Sequence, residues 1–160
     1  MKVLLIGSGA REHALATGLA ADKAVTELHV APGNPGIAEI SQIHPLEINN
    51  NFEIVALAKS LAIDLVVIGP EMPLVNGAAD ALREAGFAVF GPSKAAAQLE
   101  GSKHFAKGVM RDAGVPTAKS FTCENKSEIE IALDAFGAPY VVKDRSEEHT
   151  SELQSRGLIS

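Results

Sequence analysis

The chain has 160 residues, of which 46% are hydrophobic and 21% charged, and its formal net charge at pH 7 is −6. This acidic balance, without a cluster of lysine or arginine, argues against a surface for nucleic acid or for an anionic membrane. No apolar run approaches the roughly 20 residues of a membrane-spanning helix, and the single cysteine, Cys123, cannot form an internal disulfide. We therefore expect a cytoplasmic protein that acts on small molecules, and the oligomeric state stays open.

The first predicted unit is a strand, a glycine turn and a helix. Residues 3–6 are apolar and rich in branched side chains, which is typical of a strand buried on both faces of a parallel sheet. Gly7, Ser8 and Gly9 follow, and residues 10–21 have helical spacing. A helix start exposes unpaired N–H groups and the positive end of a dipole, so the turn is predicted to hold an anion such as phosphate. The alternative is a turn that only joins strand to helix.

This turn departs from the dinucleotide-binding fingerprint. Glu12 stands where the fingerprint needs a third glycine, and the second predicted strand ends in "APGNPG" without an acidic residue. Both departures disfavour a nicotinamide-dependent oxidoreductase or a flavin site. An alternative for Arg11 and Glu12 is an exposed first helical turn in which Glu12 only favours the dipole. His13 is predicted to be a packing or polar-network residue rather than an acid–base catalyst.

Further strands are predicted in "ELHVA", "DLVVIG" and "FAVFG", which makes four before Pro92. The second strand is followed by the loop "PGNPGIAEI", and helices are expected around residues 52–62 and 78–85. This alternation predicts an α/β fold with a parallel doubly wound sheet, whose ligand groups lie at the carboxyl ends of the strands. Asn34 and Glu71 fall at such ends, as do Gly7 and Gly9; the alternative for Glu71 is a helix cap.

From Pro92 the pattern changes to two short helices that separate near residues 101–102. Two strands, "SFTCEN" and "PYVVK", are then expected to flank a helix over residues 127–136. We therefore predict a first domain over residues 1–100, the start of a second over 101–144, and a polar tail over 145–160.

Five segments in register carry a family resemblance: "GSGAREHALA", "APGNPG", "DLVVIGPEMPLVNG", "FGPSKAAAQLEGSKHFAK" and "GVPTA". From residue 1 to about 143 the chain resembles the amino-terminal part of the phosphoribosylamine–glycine ligases, also called glycinamide ribonucleotide synthetases, with Ala10 where that family usually has glycine. The resemblance implies a Rossmann-like domain followed by the incomplete start of an ATP-grasp domain. It implies an enzyme of de novo purine synthesis that joins glycine to 5-phosphoribosylamine, giving glycinamide ribonucleotide, ADP and phosphate. Such enzymes phosphorylate the glycine carboxylate, and the amine then attacks the acyl phosphate.

The resemblance also implies site residues. The first domain would hold the phosphosugar, with Gly7, Ser8 and Gly9 around the phosphate, Arg11 as an added clamp, and Asn34 and Glu71 on the sugar hydroxyls or the amine. Lys103 and Lys143 resemble the two lysines that approach ATP, and the alternative for each is an exposed surface lysine without a role. The family uses Mg²⁺, with Mn²⁺ as an alternative. No catalytic residue or metal ligand is assigned, because the residues for adenine, metal and glycine would lie beyond this chain, and the chain alone is expected to be inactive. The alternative function is a non-catalytic phosphosugar- or nucleotide-binding module.

After Lys143 the resemblance stops. The segment "RSEEHTSELQS" is the in-frame translation of a widely used sequencing-library adapter, so we expect a non-native tail from Arg145 onward. The alternative is a natural truncation with a genuine tail. By composition, the tail would be disordered.

Overall fold

The computed structural model describes residues 1–140, so Lys143 and the tail lie outside the described residues. The strands are β1 (Lys2–Gly7), β2 (Glu27–Pro32), β3 (Gln42–Ile43), β4 (Leu65–Ile68) and β5 (Ala88–Phe90). The helices are α1 (Ala10–Ala21), α2 (Pro35–Ala38), α3 (Asn51–Ser60), α4 (Glu71–Val75), α5 (Ala78–Glu84), α6 (Lys94–Gly101), α7 (Lys103–Asp112) and α8 (Lys126–Phe136). None of the helices within residues 1–140 is long and apolar enough to cross a membrane.

The five strands form one parallel sheet in the order β3-β2-β1-β4-β5. This confirms the predicted α/β class and the parallel doubly wound sheet. The chain runs outward from β1 through β2 to β3, and then returns to the other side of β1 for β4 and β5. The strand order therefore reverses between β1 and β4, where open α/β sheets form a crevice for ligands.

The central strand is buried on both faces, as its apolar run predicts. Val3 and Leu5 of β1 pack into one core cluster, while Leu4 and Ile6 pack into a second cluster on the opposite face. All four side chains have no solvent exposure. Because successive side chains of a strand point to opposite faces, this alternation places one hydrophobic core on each side of the sheet.

Helix α1 has the predicted bounds but buries an unexpected residue. Its buried residues are Glu12 and Ala16, whereas Leu15 is 42% exposed. Glu12 and Ala16 are four positions apart and share one face. The small alanines all around this helix do not identify the inward face from sequence, and a charged residue on that face was not expected.

Some short elements were not predicted, and one predicted strand does not form. The structure adds a fifth strand, β3, of only two residues, and helices α2 and α4 where loops were predicted. All three are shorter than the span over which an apolar period can be recognised. The segment "SFTCEN" is not a strand: residues 120–125 have no ladder partner among residues 1–140. The rest of the predicted neighbouring strand "PYVVK", from Val141 onward, lies outside the described residues.

The described residues divide into two compact units, Met1–Gly101 and a second unit that begins at Ser102. The sheet, both core clusters and helices α1–α6 belong to the first unit. In the second, Ser102 caps α7 by accepting a hydrogen bond from the Phe105 N–H at 3.3 Å, which is the usual role of a serine before a helix. The ring of Phe121 packs edge to face on that of Phe136 in α8, with the ring centroids 5.1 Å apart.

Candidate functional site

The glycine turn lies at the carboxyl end of the central strand, at the point where the strand order reverses. The Gly33 N–H donates to the Gly7 carbonyl at 3.1 Å, and the Gly69 N–H donates to the Ile6 carbonyl at 3.0 Å. These two bonds join the turn to the ends of β2 and β4. The structure thus brings the ends of three neighbouring strands together around Gly7, which is the placement that the sequence predicted.

Asn34 holds the turn in place. Its Nδ2 donates to the Ser8 carbonyl at 2.8 Å, while its Oδ1 accepts from the Ile37 N–H at 2.9 Å as the cap of α2. Both polar ends of this amide are therefore used within the protein. A sugar hydroxyl would have to share an Asn34 atom with one of these bonds, so the predicted sugar contact of Asn34 stays a prediction.

Arg11 and Glu71 meet across the same crevice. Arg11 Nη2 lies 3.2 Å from Glu71 Oε2, and Glu71 is the first residue of α4, directly after the end of β4. The Arg11 side chain is 72% exposed and that of Glu71 is 28% exposed. In this exposed setting the pair contributes little to stability. The pair places a guanidinium and a carboxylate side by side at the crevice.

Glu12 is the residue that sequence reasoning placed wrongly. The alternative of an exposed first helical turn does not hold for it, because Glu12 is only 4% exposed. Its Oε2 accepts the Gly9 N–H at 2.7 Å, while its Oε1 is buried without a hydrogen-bond partner among the described residues. The sequence showed only that Glu12 replaces the third glycine of the fingerprint, and it did not show which way the side chain points. Arg11, one position earlier, is exposed as that alternative expected.

Three glycines make room for this carboxyl group. A Cβ at Gly7 would lie 2.4 Å from Glu12 Cγ, one at Gly69 would lie 2.4 Å from Glu12 Oε1, and one at Gly9 would lie 2.9 Å from Glu12 Oε2. Gly7 also has a φ of +134°, which disfavours any other residue. The Glu12 side chain thus fills the space that the third glycine of a dinucleotide site would leave open. This geometry adds to the sequence argument against a nicotinamide cofactor.

His13 packs where α1 meets α2. A Cβ at Gly36 would lie 2.6 Å from the His13 Cε1 atom, so the imidazole ring occupies the space beside this glycine. The half-buried ring is in contact with the backbone of α2. This placement supports the packing interpretation of His13.

A pair of histidines joins β2 to the segment after β3. His29 is 3% exposed, and its Nδ1 lies 3.0 Å from His44 Nε2. His29 Nε2 is 3.5 Å from Glu27 Oε2 at the start of the same strand. Burial lowers the pKa of His44 below its ordinary value, and the neighbouring His29 lowers it further. One nitrogen of the pair must donate and the other accept.

The described residues supply little of an ATP site. Lys103 is exposed in the first turn of α7, and the second predicted lysine, Lys143, lies outside the described residues. Within residues 1–140, no group of three or more histidine, cysteine, aspartate or glutamate side chains could hold a metal ion. These residues do not form a site that fits Mg²⁺, and we derive no step through the metal or the nucleotide.

Comparison with known proteins places the chain in a family. The family model described as "Phosphoribosylglycinamide synthetase, N domain" matches residues 1–100. The chain belongs to this family. A phosphoribosylamine–glycine ligase of Streptomyces coelicolor is 61% identical to the chain over 144 residues, and one of Mycobacterium tuberculosis is 53% identical over 149 residues. Both alignments cover 90% of the chain and 35% of the relative, so the chain spans about a third of the length of these synthetases.

Solved structures agree with this family assignment. The crystal structure of phosphoribosylamine–glycine ligase from Thermotoga maritima is 33% identical, with a TM-score of 0.61 over 87% of this chain and 32% of that one. N5-carboxyaminoimidazole ribonucleotide synthetase from Thermus thermophilus is 19% identical, with a TM-score of 0.63 over 86% of this chain and 37% of that one. At this lower identity the likeness concerns the fold alone. The resemblance noted in the sequence is confirmed.

Proposed function

We propose that the chain is the amino-terminal, phosphosugar-binding part of a phosphoribosylamine–glycine ligase, an ATP-dependent carbon–nitrogen ligase of purine biosynthesis. The observation that supports this most strongly is the convergence of the six predicted substrate residues on one crevice. Gly7, Ser8 and Gly9 form the turn before α1, Asn34 donates to the Ser8 carbonyl, and Arg11 is paired with Glu71. The crevice lies at the strand-order reversal, where sheets of this kind bind ligands.

In this proposal, the first unit orients a small polar substrate rather than carrying out chemistry. Joining an amine to an activated carboxylate depends mainly on positioning the two groups. Arg11 would contribute a guanidinium suited to an oxyanion, and Glu71 a carboxylate suited to hydroxyl or amine donors. ATP and Mg²⁺ would be bound by the complete ligase, with Lys103 and Lys143 as the lysines that approach the nucleotide. We place the protein in the cytoplasm, where its proposed small-molecule substrates would be met.

A titration of the 160-residue chain tests the proposal. We expect saturable binding of glycinamide ribonucleotide in isothermal titration calorimetry, and no saturable binding of NADH. Removal of one crevice charge by Arg11→Ala should weaken glycinamide ribonucleotide binding by about tenfold, which is about 1.4 kcal/mol. Arg111→Ala is the matched control, because Arg111 is an equally exposed helical arginine in the second unit.

Each outcome decides between the candidates. Binding of NADH in place of glycinamide ribonucleotide would replace the proposal with a dinucleotide-binding function. Equal losses in the Arg11 and Arg111 variants would show that the crevice is not the binding site.

A further inference from the structure

The inference concerns the end of the substrate that faces the glycine turn. Glu12 occupies the third position of α1, so its carboxyl group lies at the positive end of the helix dipole. It also accepts the Gly9 N–H at 2.7 Å. An unpaired backbone N–H and a positive helix end are the two features that predicted a phosphate at this turn. Glu12 already accepts one of these N–H groups, and its carboxyl group lies at the positive end of the helix.

The second oxygen of Glu12 points to a different kind of ligand group. Oε1 lies 2.4 Å from the position that a Cβ of Gly69 would take, so it is directed at the glycine that follows β4, beside the glycine turn. It is buried and accepts no hydrogen bond from any of the described residues. A buried acceptor without a donor is costly, and such groups call for a partner. The partner that an acceptor needs is an N–H or O–H group.

The charges around the turn also favour a hydrogen-bond donor over an anion. Arg11, on the same helical turn, is paired with Glu71, and its exposed guanidinium is shared with that carboxylate. A phosphate inside the turn would lie against the Glu12 carboxyl group, whereas the exposed Arg11 guanidinium, which has five N–H donors, could bind an oxyanion that lies outside the turn. Like charges at short range are screened only weakly when one of them is buried.

We propose that the glycine turn receives the donor-bearing end of the phosphosugar, its anomeric nitrogen and ribose hydroxyls, and that its phosphate lies outside the turn. Glu12 is the positioning residue that sets this orientation. Its buried carboxyl group shapes the turn by accepting the Gly9 N–H. The second carboxyl oxygen makes the turn favourable for hydrogen-bond donors and unfavourable for anions. The inference rests on the proposed function and refines it, because the resemblance placed the phosphate at Gly7, Ser8 and Gly9.

The test compares three probes on the ¹⁵N-labelled 160-residue chain: glycinamide ribonucleotide, glycinamide riboside, which lacks the phosphate, and inorganic phosphate. We expect the ribonucleotide and the riboside to shift the amide signals of Gly7, Ser8 and Gly9, and inorganic phosphate to leave them in place. Glu12→Gln keeps an oxygen for the Gly9 N–H but removes the charge. It should weaken riboside and ribonucleotide binding by about tenfold without changing any binding of inorganic phosphate elsewhere on the chain.

Glu53→Gln is the matched control. Glu53 occupies the same third position of its helix, α3, and its Oε2 accepts a backbone N–H at 3.3 Å, but it is exposed. Its variant should bind all three probes as the wild type does. A merely structural role of Glu12 would lower the affinity for every probe together with the melting temperature, and this result would overturn the inference.

Two further results would contradict the orientation alone. They are a saturable shift of the turn amides by inorganic phosphate, and unchanged riboside affinity in Glu12→Gln. If glycinamide ribonucleotide does not bind the wild-type chain at all, the proposed function fails, and the orientation fails with it.

Discussion

Substitution of Gly69 by alanine should destabilise the first unit through Glu12. The new Cβ would lie 2.4 Å from Glu12 Oε1, 2.5 Å from Cγ and 2.8 Å from Cδ, which are separations that carbon atoms do not tolerate. The Gly69 backbone itself has no φ in the left-handed region, so the backbone accepts alanine. The Glu12 side chain must therefore leave its position.

The cost follows from what Glu12 loses. Overpacking of a filled site costs about 1–3 kcal/mol, and a hydrogen bond to a charged group contributes about 1.5–3 kcal/mol. Because the displaced carboxyl group is also rehydrated, we expect the free energy of unfolding to fall by about 3 kcal/mol rather than by the full sum. The chain has no tryptophan, so urea unfolding is best followed by circular dichroism.

A double-mutant cycle with Glu12→Ala isolates this cause. Once the carboxyl group is removed, Gly69→Ala should be nearly neutral, and the coupling energy between the two positions should be about 2–3 kcal/mol. If Gly69→Ala costs the same in both backgrounds, the glycine serves another purpose and the account of the Glu12 site is refuted.

Three other substitutions test the described packing. Gly18 of α1 has nothing within 4 Å of its Cβ position, so Gly18→Ala should raise the free energy of unfolding by about 0.5–1 kcal/mol, measured by the same urea titration; a loss would contradict the open surface. Asn34→Ala removes the cap of α2 and the bond to the Ser8 carbonyl, and should cost about 1–2 kcal/mol, whereas an unchanged urea midpoint would show that these bonds do not hold the turn. His44 has a lowered pKa in the folded protein, so between pH 7.5 and 5.5 the unfolded chain binds more protons and stability should fall as the pH falls. His44→Gln should reduce this slope, and an equal slope in the variant would assign it to another group.

The central strands β1, β2 and β4 were predictable from sequence because they are mostly buried on both faces. The runs at β1 and β4 are continuous and apolar, and each ends at a glycine. The apolar run therefore predicts the strand, and the glycine predicts where it ends. β3 was not predicted because a strand of two residues is too short to show an alternating hydrophobic pattern. "SFTCEN" was predicted as a strand from its residue types alone, but a strand also needs a partner, and sequence pattern does not reveal which segment supplies one.

The placement of the candidate site was also predictable, but its internal charge arrangement was not. Parallel topology brings the ends of β1, β2 and β4 together whatever the side chains are, so Gly7, Asn34 and Glu71 could be assigned to one crevice. The direction of the Glu12 side chain depends on the rotation of α1 against the sheet. That rotation is set by packing of Ala16 and its neighbours in the core, and the alanine-rich helix gives no sequence pattern from which to read it.

The contact between His13 and Gly36 links the sequence of α1 to that of α2. The imidazole fills the volume that any side chain at position 36 would need, so the two positions cannot both carry large residues while the backbone stays in place. Among sequences that keep this fold, an alanine or serine at position 36 should therefore occur together with a smaller residue at position 13. Two positions 23 residues apart in the chain are thus expected to vary as a pair.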